Sequence, residues 1–203
     1  MIKKQVCVLD YGSGNVGSVL NLLKNLNNNV LVSNDPSCIK ESSHIILPGV
    51  GAFGASIKKI KEKIPLNIVE HEVYNNKKPF LGICIGMQVL ADKGFEFGEH
   101  KGLGWIGGKV KKLKAKILPH IGWNNVRIKR RSPLFSNLGD LKDFYFVNSY
   151  AFEVDNEEHV ISETDYECTF CSAVQKDNIF GVQFHPEKSQ KTGQLLIKNF
   201  LKI

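Results

Sequence analysis

Apolar residues in the first half of the chain recur with two alternating periods. Short continuous apolar runs, typical of buried strands, occur at residues 6–10, 30–33, 44–47 and 80–83. Between and after them, helical spacing predicts helices over residues 15–26, 56–63, 66–75 and 85–91. Strands that alternate with helices predict an α/β fold whose mixed, mainly parallel central sheet is flanked by helices.

The pattern changes after about residue 102. Short runs of alternating apolar and polar residues now predict additional antiparallel strands in the C-terminal half, at residues 105–113, 123–128, 144–147, 160–164, 169–175 and 179–184. Residues 194–201 predict a final helix. Because no repeat, low-complexity linker or composition boundary interrupts the chain, we expect one domain over residues 1–203.

Composition and charge exclude several classes of function. The net charge is +7, but the lysines of residues 109–116 alternate with apolar residues and no aromatic residues interleave with them. This pattern predicts a solvated strand face rather than a nucleic-acid site, with a docking surface for an acidic partner as the second interpretation. No apolar run suits a bilayer or a signal peptide, so we expect a cytoplasmic protein without a membrane partner.

Cysteine usage supports a reducing compartment, because the chain has five cysteines without a disulfide-framework spacing. Cys168 and Cys171 form a lone CxxC pair, which is too few ligands for a structural zinc site. We interpret the pair as part of a strand and predict no metal site.

The segment around Cys84 carries the clearest chemical signal. A predicted strand runs directly into Cys84, which stands between Gly82 and Gly86, and a predicted helix follows. This is the pattern of a nucleophile elbow, in which small neighbours allow a sharp turn that exposes the nucleophile. A helix N-terminus beside the sulfur also favours the thiolate. Cys84 is therefore a candidate nucleophile.

His185 and Glu187 can complete a catalytic triad with Cys84. His185 ends an alternating apolar strand, and Glu187 follows it after the turn-forming Pro186. A cysteine nucleophile needs a base, and the base needs a group that orients it. Each segment alone also fits a buried structural cysteine or a histidine that merely ends a strand. Their combination favours catalysis by Cys84, His185 and Glu187.

A glycine motif near the N-terminus supports a competing hypothesis. Residues 12–17 read GSGNVG after a strand and into a helix, and Asp35 follows at roughly the distance of a ribose-binding acid. Taken alone, this pattern indicates a dinucleotide-binding protein. The intervening strand is short for such a unit, however, and the hypothesis leaves Cys84 and His185 unexplained. We therefore predict no nicotinamide, flavin or other cofactor.

Six motifs in order give the chain a family resemblance. They are DYGSGN at residues 10–15, LPGVGAFG at 47–54, GICIGMQ at 82–88, PHIGWN at 119–124, YFVNSY at 145–150 and QFHPEKSQ at 183–190. Through them the chain resembles the class I (triad) glutamine amidotransferases, and more closely the HisH family, the glutaminase subunits of imidazole glycerol phosphate synthase. The resemblance implies a flavodoxin-like glutamine amidotransferase fold and hydrolysis of L-glutamine by the triad.

The resemblance also implies roles for residues around the triad. An oxyanion hole needs hydrogen-bond donors, and the backbone N–H of Ile85, directly after the nucleophile, is one candidate. The backbone N–H of Val50 is the second, by resemblance. Substrate contacts are implied for four further residues, namely Gly49, Gly51, Gln88 and Glu96. Glycines on both sides of Val50 would let that loop rotate its peptide plane at little cost.

The ammonia acceptor must lie on a second polypeptide, because nothing in the chain resembles a synthase domain. By resemblance, the partner is a HisF-like (β/α)8-barrel cyclase that forms a heterodimer with this chain. The interface candidates are Asn15, Trp123, Asn124 and Lys188.

Departures from the family keep alternatives open. Asn148 stands where the family usually has histidine, and related subunits supply ammonia for amidine formation on surface-polysaccharide sugars. A stand-alone cysteine hydrolase and a catalytically silent regulatory subunit are the alternatives of other classes.

Overall fold

Fourteen strands and six helices occur in the part of the chain that the computed structural model describes, residues 5–13, 15–26, 29–139 and 142–203. The strands are β1 Val6–Val8, β2 Val30–Val32, β3 His44–Gly49, β4 Phe80–Cys84, β5 Lys93–Gly94, β6 His100–Lys101, β7 Gly108–Lys112, β8 His120–Asn125, β9 Arg127–Ile128, β10 Asp143–Asn148, β11 Tyr150–Val154, β12 Val160–Tyr166, β13 Cys168–Lys176 and β14 Ile179–Val182. The helices are α1 Val16–Leu26, α2 Pro36–Glu41, α3 Phe53–Lys63, α4 Leu66–Glu70, α5 Ile85–Gln88 and α6 Gln190–Phe200. A π-helical turn, His71–Asn75, continues α4.

The centre of the fold is a parallel five-stranded sheet. Its strand order is β2-β1-β3-β4-β14, and each neighbouring pair is parallel. Strands β1, β3, β4 and β14 are buried along their whole length, as expected for continuous apolar runs covered on both faces by helices. This arrangement confirms the predicted α/β class with a mainly parallel central sheet.

Antiparallel strands extend the sheet beyond β14, which confirms the additional antiparallel strands predicted for the C-terminal half. β13 pairs with β14, and β11 and β7 follow in order. β12 pairs with β13 on a branch of this extension, and Cys168 and Cys171 lie within β13 as predicted. β8 and β10 form a separate two-stranded ribbon.

Several elements differ from the sequence prediction, among them a helix and a strand that were not expected. The helix α2 was not expected, and Asp35 caps it by accepting a hydrogen bond from the N–H of Ser37 at 2.8 Å. Asp35 is thus a helix cap in this fold, and Gly14 of the glycine motif lies outside the described residues. The strand β11, which pairs with β7, was also missed.

The helix after Cys84 is shorter than predicted, since α5 ends at Gln88. The carbonyls of the following turn are taken by another segment: Leu103 donates to Val89, and Trp105 donates to Leu90. A four-residue helix contributes little dipole, so the proposed help from a helix N-terminus at Cys84 is weaker than the sequence suggested.

Strand register brings three chain segments to one edge of the sheet. Gly49 at the end of β3 lies beside Cys84 at the end of β4, and Val182 in β14 lies beside Ile83. Because carboxyl ends of parallel strands meet at the same edge, the loops after these strands form one site. No helix in the described part of the chain is long and apolar enough to cross a membrane.

Candidate active site

Cys84 occupies a strained elbow between β4 and α5. Its φ is 55° and its ψ is −110°, in a region that non-glycine residues rarely adopt. Small neighbours make the turn possible, because a Cβ on Gly86 would collide with the carbonyl of Leu47 and a Cβ on Gly82 with the carbonyl of Gly86. The elbow therefore projects the Cys84 thiol from the sheet edge into a cavity.

His185 and Glu187 form a buried pair on the turn after β14. The Nδ1 atom of His185 lies 2.7 Å from Oε1 of Glu187, and their side chains are only 3% and 1% exposed. The turn itself is fixed, because the N–H of His185 donates to the carbonyl of Tyr145 at 2.8 Å and the hydroxyl of Ser189 donates to the carbonyl of His185 at 2.6 Å. The structure thus brings the predicted base and its orienter together.

The electrostatic environment of His185 stabilises the imidazolium. Burial alone would lower the pKa of His185, but the hydrogen bonds to Cys84 and Glu187 outweigh it and raise the pKa to about 10. At neutral pH both ring nitrogens of His185 are therefore protonated, and the ring lies between the sulfur and the carboxylate. Such a group is ready to donate a proton to a leaving group.

A cavity of about 270 Å³ opens onto Cys84 and His185. Its walls include Val50, Gly51 and residues of β10 and β11, and its size suits a single small amino acid rather than a peptide. A larger groove of about 610 Å³ lies over β7, β11 and β13, and none of the predicted catalytic residues lines it. Chemistry, rather than size, identifies the smaller cavity as the site.

The two candidate oxyanion donors are in different states. Ile85 is the first residue of α5, where a backbone N–H has no partner within the helix. The N–H of Val50, in contrast, donates to the carbonyl of Ser13 at 3.1 Å. Val50 is 38% exposed, and the next residue, Gly51, has a φ of 107°. Only one of the two predicted donors is therefore available to a ligand in this conformation.

Buried carboxamides line the cavity beside Cys84. The NH2 groups of Gln88 and Asn148 both donate to the carbonyl of Tyr150, at 3.0 and 3.2 Å. A carbonyl can only accept, so this contact fixes the orientation of both amides. Their side-chain oxygens are buried and accept no hydrogen bond from any described residue. Gln88 and Asn148 thus leave two acceptors for a ligand with N–H groups.

Glu96 reaches the same cavity from the loop after β5. Its Oε2 accepts a hydrogen bond from the N–H of Phe53 at 2.7 Å, so the carboxylate also caps the N-terminus of α3. Gly49 packs tightly at the end of β3, where an added Cβ would lie 2.5 Å from the Tyr11 hydroxyl.

The four predicted interface residues do not share one surface. Trp123 is 49% exposed and stands on the outer face of the ribbon next to Tyr145. Asn124 projects to the opposite face, where its amide contacts His120 at 3.3 Å and donates to the carbonyl of Asp165 at 3.0 Å. Ile121 is exposed on the same face of the ribbon as Trp123. Lys188 is exposed beside this face, with its ammonium 5.7 Å from the Tyr145 ring.

Asn15 turns inward, because its NH2 group donates to Oε1 of Glu187 at 3.0 Å.

Gln183 was not among the predicted residues, although its NH2 group lies 3.7 Å from the sulfur of Cys84 and its oxygen accepts from Gln88 at 2.8 Å. Gln183 directly follows β14 and lies two residues before His185, so the alternation of the predicted strand over residues 179–184 could have indicated it.

Comparison with known proteins decides the family. A sequence profile described as "Glutamine amidotransferase class-I" matches residues 7–203. The imidazole glycerol phosphate synthase subunit HisH of Pyrococcus furiosus is 43% identical over 98% of this chain and 99% of its own length. Subunit HisH 2 of Methanococcus maripaludis is 42% identical over 97% and 98%. The chain is a class I glutamine amidotransferase of the HisH family.

Solved structures agree on the fold of this family. A PurLQS structure from Thermotoga maritima has a TM-score of 0.74 at 16% identity and covers 99% of both chains. A crystal structure described as a glutamine amidotransferase has a TM-score of 0.73 at 19% identity, with 97% of both chains covered. Membership of the HisH family confirms the resemblance that the six motifs indicated.

Proposed function

We propose that the whole chain, as one glutamine amidotransferase domain, is the glutaminase subunit of an imidazole glycerol phosphate synthase in histidine biosynthesis. The observation that carries the proposal is the buried Cys84–His185–Glu187 constellation on a strained elbow, in which His185 lies 2.7 Å from Glu187 and lines the same cavity as Cys84. Membership of the HisH family supports the same activity, since each relative named above is a HisH subunit of that synthase.

The reaction follows from the positions of these groups. The thiolate of Cys84 attacks the side-chain carboxamide carbon of L-glutamine, and the carbonyl oxygen becomes an oxyanion. His185 transfers its proton to the departing nitrogen, so that ammonia leaves and a thioester remains. Water, deprotonated by His185, then cleaves the thioester and releases glutamate. Glu187 keeps the imidazole in the orientation and tautomer that both steps need.

Substrate recognition is assigned to the carboxamide and carboxylate groups of the cavity. The oxygens of Gln88 and Asn148 accept from the N–H groups of the ligand, and the carboxylate of Glu96 faces its α-ammonium. Gly49 and Gly51 let the backbone approach the substrate closely. The oxyanion is stabilised by the N–H of Ile85, and by that of Val50 once it is released from Ser13.

Ammonia needs a partner subunit, because free ammonia is protonated in water and loses its nucleophilicity. The relatives' names describe them as synthase subunits, and we assign this chain a (β/α)8-barrel cyclase as partner. The exposed face with Ile121 and Trp123 stands next to the cavity wall formed by Val147 and Asn148, so a partner docked there covers the mouth of the site. Lys188, at the cavity rim, is assigned to the same interface.

The test uses the chain with the barrel subunit from the same organism. Cys84→Ala in the complex should abolish glutamate release and glutamine-dependent formation of imidazole glycerol phosphate, while ammonium salts still support the cyclase. Residual glutaminase activity near the wild-type level would refute the nucleophile assignment.

Complementation tests the pathway. The wild-type pair should restore growth of a histidine auxotroph that lacks its own glutaminase subunit. Failure to grow with both proteins soluble and associated would favour a surface-sugar amidine pathway, and full activity of the free chain would favour a stand-alone hydrolase.

A further inference from the structure

Asn15 contacts the triad directly, although its sequence motif suggested a role at the partner interface. The Nδ2 atom of Asn15 donates to Oε1 of Glu187 at 3.0 Å, and Nδ1 of His185 lies 2.7 Å from the same oxygen. The other oxygen, Oε2, is buried and accepts no hydrogen bond from any described residue. We propose that Asn15 is a positioning residue for the triad, which holds the Glu187 carboxylate so that it can orient His185. This inference rests on the proposed function.

The backbone around Glu187 is already fixed without Asn15. The turn Pro186–Lys188 is tied to β10 by the hydrogen bond from the His185 N–H to Tyr145, and by the Ser189 hydroxyl. The remaining freedom is rotation of the Glu187 side chain. Two donors converging on one oxygen restrict that rotation, and each is strengthened because the acceptor is charged. Removing Asn15 would leave His185 as the single described partner of the carboxylate.

The position of Asn15 in the chain gives the contact a second consequence. The carbonyl of Asn15 accepts from the N–H of Val19, so the residue stands at the N-cap position directly before α1. Two residues earlier, the carbonyl of Ser13 holds the N–H of Val50. Ser13 and Asn15 therefore contact a candidate oxyanion donor and the orienter of the base, respectively.

Two substitutions separate a positioning role from a structural one. Asn15→Asp keeps the size of the side chain and the ability to cap α1, since aspartate and asparagine are equally good helix caps. It loses the N–H donor and places a second carboxylate against Glu187. Asn15→Leu loses the donor and leaves no polar side chain at this N-cap position. Asn34→Leu is the matched control, because the Asn34 amide supports the same segment through two hydrogen bonds to the backbone of Asp10 and does not touch the triad.

The expected result is a loss of kcat without a loss of fold. In the complex with the barrel subunit, Asn15→Asp should lower kcat for glutamine by about 10-fold or more, because small misplacements of catalytic groups are costly. The KM for glutamine should stay within about 3-fold, since Asn15 does not line the cavity. The melting temperature of Asn15→Asp should fall, because a second carboxylate stands against Glu187, but the variant should stay folded at the assay temperature. Asn34→Leu should also lower the melting temperature while leaving kcat unchanged.

A pH profile gives a signature that a structural role would not produce. The titratable groups near Asn15 are Glu187 and His185 on the turn, Cys84 on the elbow and Lys59, which bonds the Ser13 hydroxyl. In Asn15→Asp, the adjacent carboxylate raises the pKa of the introduced carboxyl. As the pH falls from about 8 to about 5.5, that carboxyl gains a proton and can again donate to Glu187. The ratio of wild-type to Asn15→Asp kcat should therefore shrink, whereas the ratio for Asn15→Leu should not.

Three outcomes would overturn the inference: wild-type kcat in Asn15→Asp, an equal loss of kcat in Asn34→Leu, or pH-independent ratios for both Asn15 variants. These outcomes leave the proposed function intact as long as Cys84→Ala abolishes glutaminase activity. Glutaminase activity that survives Cys84→Ala would instead remove the proposed function itself.

Discussion

Replacing Glu187 by glutamine isolates the electrostatic part of the triad. The side chain keeps an acceptor oxygen at the position where Asn15 and His185 approach, so the geometry of the pair should be retained. The negative charge is lost. An NH2 group also replaces Oε2, which accepts no hydrogen bond from any described residue, and this buried donor has no acceptor. The variant therefore tests how much the carboxylate charge contributes to the activity of His185.

The magnitude follows from the pKa of His185, which the contacts to Cys84 and Glu187 raise to about 10. An adjacent opposite charge accounts for about 1–3 pKa units, and each unit corresponds to about 1.4 kcal/mol. If the imidazolium is stabilised less by that amount, kcat should fall about 10- to 1000-fold. The orphaned NH2 group should lower the free energy of unfolding by about 1–3 kcal/mol. His185→Asn removes the base itself and should be as inactive as Cys84→Ala.

The assay is glutamate release by the complex with the barrel subunit, measured from about pH 6 to pH 10. A parallel measurement follows alkylation of Cys84 by iodoacetamide in the free chain, read on the Cys84 peptide by mass spectrometry because four other cysteines are present. Glu187→Gln should shift the alkylation profile, since the pKa of His185 falls. A kcat within about 3-fold of the wild type, or one as low as that of His185→Asn, would refute the electrostatic argument.

Three further outcomes are expected. The free chain should release glutamate slowly and accelerate with the partner and its ligand, because Val50 donates to Ser13 instead of an oxyanion; full activity of the free chain would contradict this. Trp123→Ala should weaken association with the barrel about 10-fold or more without unfolding the chain, as measured by titration calorimetry, because the side chain is 49% exposed. The raised pKa of His185 stabilises the fold below about pH 6.5, and this contribution should be lost as the pH rises towards 10, as followed by urea unfolding.

The triad could be predicted from the sequence because each member carries a local signal. Cys84 follows an apolar strand between glycines, and His185 ends a strand before a proline. Register between parallel strands then brings Cys84 and the turn after β14 to one edge, as the α/β pattern requires. The missed strand β11 begins at Tyr150, and only Ser149 separates it from the end of β10. No glycine or proline marks a turn between the two strands, so the sequence carries no local signal for a second strand there.

The orientation of side chains around the site was harder to predict. Trp123 and Asn124 are neighbours on β8, so they must project to opposite faces of the ribbon, but the sequence does not say which face is outward. The structure places Asn124 against His120, whose pKa is lowered by burial, and leaves Trp123 outward. Asn15 illustrates the same limit, because its contact with Glu187 joins residues that are 172 positions apart.

The His185–Glu187 pair is already positioned for catalysis, but the candidate oxyanion donor Val50 is not. The energies of the two sets of contacts fit the proposal that a partner controls the donor. His185 and Glu187 are already paired, whereas Val50 is held by Ser13. A typical backbone hydrogen bond contributes only about 1 kcal/mol, so a modest part of a partner's binding energy suffices to break the Val50 contact. One oxyanion donor, in contrast, changes kcat by about 100- to 1000-fold. Glycines on both sides of Val50 keep the rotation of its peptide inexpensive. In the proposed mechanism, a weak contact thus withholds a strong catalytic group, and glutamine is not wasted when no acceptor is present.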